Sequence, residues 1–119
     1  MNYSRPPKRV LVGGDVYKIK VVKNLKTSNT QEEAFGQIMF QPEQEISLDA
    51  NIGPARAHST MIHELLHAVW RGWHNPANLQ QDEEAFVFAM AAGLSAVFFT
   101  NPELVAWLNQ MRKEAYGRK

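Results

Sequence analysis

The spacing of hydrophobic and polar positions changes near residue 50. Before it, apolar residues come in short alternating runs; after it, they recur with helical spacing. Val10-Leu11-Val12 and Val16 to Val22 flank Gly13-Gly14-Asp15. Tyr17, Ile19 and Val21 alternate with Lys18 and Lys20, and the glycines permit a tight reversal, which predicts a β-hairpin. Ala34 to Phe40 is a second apolar patch. Glu45-Ile46-Ser47-Leu48-Asp49 alternates as a short strand, and Pro42 marks a turn or an edge between the two. These runs predict a small antiparallel sheet of three or four strands.

The second half reads as three helices. Pro54 suits a first helical position and Ser59 is a further candidate cap. Ile62, Leu65, Leu66, Val69 and Trp70 then form an apolar stripe that runs to about Gly72, and Trp73-His74-Asn75-Pro76 ends the helix. Asp82-Glu83-Glu84 favours the start of a second helix through the macrodipole. From Ala85 to about Phe99 this helix is apolar almost all round, which predicts a central, buried element. Asn101-Pro102 opens a third, with Leu104, Leu108 and Met111 at helical spacing. The fold class expected is α+β, one domain over residues 1–119. A mobile polar arm is expected at residues 1–8 and a tail at Gly117-Arg118-Lys119.

Composition narrows the function classes. Hydrophobic content of 45% and charged content of 21% are ordinary for a soluble globular chain. A net charge of +1 with scattered Lys and Arg gives no basic field for nucleic acid. Cysteine is absent, so disulfides and thiolate metal sites are excluded. No apolar signal core follows Lys8-Arg9, and the Ala85–Thr100 run is shorter than the roughly 20 residues of a bilayer span. A cytoplasmic location without membrane partners is the expectation.

The stripe of the first long helix carries His63-Glu64-Leu65-Leu66-His67, a His-Glu-x-x-His pattern. Residues four apart on a helix share a face, about 40° out of register. His63 and His67 can therefore bind one metal ion, and Glu64 falls beside it, where a general base can take a proton from water. Zinc suits neutral imidazole ligands best. Two histidines leave zinc short of the three protein ligands of a catalytic site, and a carboxylate from Asp82-Glu83-Glu84 on the next helix is the natural supplier. His58 and His74 are poorly placed to join as ligands. Together with Tyr17 and Tyr116 they are candidates to stabilise an oxyanion. The Ile46–Asp49 strand is the expected edge for a peptide substrate.

His63-Glu64-Leu65-Leu66-His67-Ala68, followed by Glu84-Ala85-Phe86-Val87 and Gly93-Leu94, resembles the small phage and mobile-element zinc metallopeptidases of the ImmA/IrrE type, over roughly residues 45–95. The resemblance implies a minimal zincin-like domain encoded by a phage or mobile element and acting inside a bacterial host. It implies Zn²⁺ held by His63, His67 and Glu84, with Glu84 preferred to Glu83 because it stands three residues before Val87. It implies Glu64 as the general base and a peptide or protein substrate. One position departs from the pattern: relatives often carry Asp, Glu or Asn where Phe88 stands. A non-hydrolytic metal-binding module on the same fold is the alternative reading.

Overall fold

The computed structural model describes residues 1–26, 34–73 and 83–117. Four strands come first: β1 (Arg9–Val12), β2 (Asp15–Val22), β3 (Gly36–Met39) and β4 (Glu45–Asp49). Three helices follow: α1 (Pro54–Trp73), α2 (Glu83–Thr100) and α3 (Pro102–Tyr116). The α+β order expected from the spacing is the one observed.

The hairpin forms as its glycines predict. Val12 pairs with Asp15 across Gly13-Gly14, and Gly13 has a φ of 63°, a conformation glycine takes at no steric cost. The sheet is mixed, where an antiparallel one was expected. Its order is β1-β2-β4-β3, and β4 runs parallel to β2 with Ile19 opposite Ile46 and Val21 opposite Leu48. The alternation of Ile46 and Leu48 fixes which face they bury but not the direction of the neighbouring strand. The chain from Lys23 to Gln44 is long enough for the crossover that a parallel pair requires. One consequence is a second correction. β4 lies inside the sheet, so the Ile46–Asp49 segment cannot receive a substrate strand; the edges are β1 and β3.

The core lies between one face of the sheet and the helices. Val10, Val12, Tyr17, Ile46 and Leu48 meet Ala57, Met61, Leu65 and Val69 of α1 and Leu104, Leu108 and Met111 of α3. The N-terminal arm, expected to be mobile, is pinned instead. Tyr3 is buried, its hydroxyl donates to the Asp49 carbonyl at 2.8 Å, and the Trp107 indole donates to the Ser4 carbonyl at 2.8 Å. Aromatic residues supplied the grip that a polar, proline-bearing reading overlooks.

α2 is not the all-round buried helix its composition predicts. Gly93 and Val97 are buried and Met90, Leu94 and Phe98 pack against the core, whereas Phe88 is 73% exposed and Phe99 86% exposed. Apolar residues all round a helix show that it can be buried on every side; only the number of neighbouring elements decides whether it is.

Asn101, at the α2–α3 junction, closes the open edge of β1. Its side-chain oxygen accepts from the Leu11 N–H at 2.8 Å, and its amide donates to the Leu11 carbonyl at 2.7 Å and the Val97 carbonyl at 2.7 Å. An edge strand and a helix end are thereby satisfied by one buried side chain. Asn101→Ala is expected to lower unfolding stability by about 2–4 kcal/mol, because buried backbone groups lose their partners. Urea unfolding of the two proteins, with an unchanged m-value, measures it.

Candidate metal centre

The site is built on α1 by a clean division of its faces. Ala57, Met61, Leu65, Ala68 and Val69 are buried and hold the helix on the core, while His63 and His67 are exposed on the outer side. Glu64 breaks the division. It stands on the inward face and is only 6% exposed. Among the described residues no hydrogen bond reaches its carboxylate.

His63, Glu64 and His67 converge as the spacing predicts. Their ligand atoms all lie within 4.8 Å of one another, and the two imidazole rings stand 5.0 Å apart at 66°. Burial pushes the Glu64 carboxyl above its ordinary range, and the two neighbouring imidazoles pull partly the other way. Two imidazole nitrogens and one carboxylate oxygen are a donor set that fits a zinc ion by chemical type.

Gly36 brings β3 up to this carboxylate. A Cβ there would collide with the Thr60 methyl and come within 3.2 Å of both Glu64 Oε2 and the Ser47 carbonyl. Only a glycine lets the edge strand lie this close to α1. Gly36, Phe35, Thr60, His63 and Glu64 border a cleft of about 360 Å³ that Arg56 and Ser59 complete. The Arg56 guanidinium stacks 4.5 Å above the Phe35 ring, and among the described residues no carboxylate pairs with it. On the other side of the histidines lies a second, apolar cleft of about 340 Å³, between α1 and α2, walled by Leu66, Trp70, Phe86 and Met90. Trp70 and Phe86 meet across it at 5.4 Å. The imidazoles thus form a ridge between a polar hollow and an apolar one.

The carboxylates expected from α2 are placed differently. Glu83 and Glu84 form its exposed first turn, and neither joins the group around His63 and His67. Helical geometry separates them. Phe86 and Met90 face α1, and Glu83 falls within about 60° of both, whereas Glu84 lies roughly 120° from Met90. Asp82 and His74 lie outside the described residues. Of the other oxyanion candidates, Tyr17 is buried in the core edge-on to Phe40, and His58 and Tyr116 line a separate groove with Met111. Arg56, Phe35, Gly36 and Thr60 escaped the sequence reading. Arg56 was open to it, standing two helical turns before His63; the glycine was not, because its reason is a long-range contact.

Comparison of the chain with family models, with curated proteins and with solved structures finds no match.

The tight approach at Gly36 predicts a specific coupling. Gly36→Ala should cost about 1–3 kcal/mol through overpacking. Thr60→Ser, which removes the methyl in the way, should recover most of that loss when combined with it. A double-mutant cycle by urea unfolding reads the coupling directly.

Proposed function

We propose that this protein is a zinc-dependent peptidase, and the convergence of His63, Glu64 and His67 carries the proposal. His63 and His67 supply two ligands through neutral imidazole nitrogens. The third comes from the first turn of α2: Glu84 by the resemblance drawn above, or Glu83 by the face that α2 turns to α1. This reading requires that first turn to draw in toward the histidines. When bound, zinc lowers the pKa of a coordinated water to about 7 and polarises a carbonyl oxygen.

Glu64 performs the proton chemistry. Burial pushes its carboxyl above the ordinary range, and the two imidazoles pull partly the other way. It takes a proton from the attacking water and returns it to the departing amine. Gly36 lets β3 pass close beside the carboxylate from the sheet side. A peptide can lie along β3, the edge strand bordering the polar cleft, as an added strand. Its residues on the two sides of the scissile bond would then meet the Arg56 hollow and the Phe86–Met90 hollow. A phage or mobile-element origin and a cytoplasmic site of action belong to this same reading, through the resemblance alone.

The test is hydrolysis of a broad peptide library by tag-free protein, with Glu64→Gln beside it. Wild type is expected to cleave and to stop on chelation. Glu64→Gln should retain zinc and lose at least about 10²-fold in rate, the scale of general-base catalysis. Zinc affinities of Glu83→Gln and Glu84→Gln, measured separately, identify the third ligand. Bound zinc with no cleavage by the wild type would establish the non-hydrolytic module instead.

A further inference from the structure

We propose that the outer face of α2 is a self-association surface, on which a second copy of this chain packs antiparallel about a two-fold axis. This inference does not rest on the peptidase reading. The face carries Phe88 at 73% exposure and Phe99 at 86% exposure, flanked by Val87 at 50%. Two aromatic rings this open on one helix are unusual for a chain that stays alone in water. They stand eleven residues apart, three helical turns, so they point the same way about 16 Å apart. Between them the face holds Ala91, Ala92 and Ser95, all small or partly polar, with no charged side chain.

That sequence is complementary to itself reversed. A two-fold axis through the middle of Gly93-Leu94 sets Phe88 of one copy opposite Phe99 of the other, and Ala92 opposite Ser95. The small residues let the helices approach at the centre while aromatic pairs close both ends. Opposed helix dipoles add a modest gain. A Phe side chain buries about 150–250 Å², so two such rings with the residues between them offer roughly 500–600 Å² per copy, close to the lower bound of a specific interface.

A membrane fits the face less well, although α2 is by length and composition apolar enough to cross one. Its opposite side is already engaged: Val97 lies in the core, the half-buried Met90 and Leu94 pack against it, and the C-terminus of the helix is tied to β1 through Asn101. Lipid would have to surround a helix that is held on one side by protein.

Sedimentation velocity of the full chain from about 1 to about 200 µM spans the range in which so small an interface changes occupancy. The mass is expected to rise toward twice 13.5 kDa. F88E/F99E should remain at 13.5 kDa with an unchanged far-ultraviolet circular dichroism spectrum, both side chains being solvent-facing in the single copy. F88K/F99E sets opposite charges across the axis and should associate more strongly than F88E/F99E. A wild-type chain that is monomeric throughout, or an F88E/F99E chain that keeps the dimer mass, overturns the proposal. Equal behaviour of the two double variants overturns the antiparallel register. A monomeric wild type that pellets with phosphatidylcholine vesicles, while F88E/F99E does not, assigns the face to lipid and overturns it too.

Discussion

A carboxylate taken out of water without a hydrogen-bond partner is expensive, and Glu64 is that group here. It lies on the core side of α1, against β3, with two imidazoles as its polar neighbours and no hydrogen bond among the described residues. Desolvation alone costs several kcal/mol for an unpaired ion, enough to be removed by selection unless something offsets it. A divalent cation between the imidazoles would offset it, and so would protonation. A leucine at position 64 would continue the buried face of the helix, so packing alone does not call for a carboxylate there.

The rest of the fold holds that carboxylate where it is. α1 is fixed by Met61, Leu65 and Val69 in the core, and the edge strand closes down on it through Gly36. β3 is in turn held by its antiparallel pairing with β4, which sits inside the sheet. The far end of the sheet is sealed by Asn101, and the N-terminal arm by Tyr3 and Trp107. The same scaffold leaves Phe88 and Phe99 exposed on the outer side of α2.

What could be read from sequence was what is local. His63, Glu64 and His67 lie within one and a half helical turns, so the helix places them and no tertiary information is needed. The hairpin around Gly13-Gly14 and the three helices are local in the same sense. Strand order was not legible, because Ile46 and Leu48 bury the same face in a parallel or an antiparallel ladder. Nor was the docking of Tyr3, which depends on Asp49 and Trp107 far along the chain. α2 misled because its composition describes what the helix tolerates on every side, while among the described residues Phe88 and Phe99 stand open to solvent.

The proposed metal site, with His63 and His67 as ligands and the Glu64 carboxylate beside them as base, is the feature on which the rest depends. It is tested most directly by elemental analysis of tag-free protein, with isothermal titration of the chelator-treated chain. One zinc per chain is predicted, bound by the apo-protein with release of heat or protons, and lost when His63 and His67 are both replaced by Ala in a protein that still folds. A folded wild-type chain that carries no zinc and takes none up on titration would contradict the account.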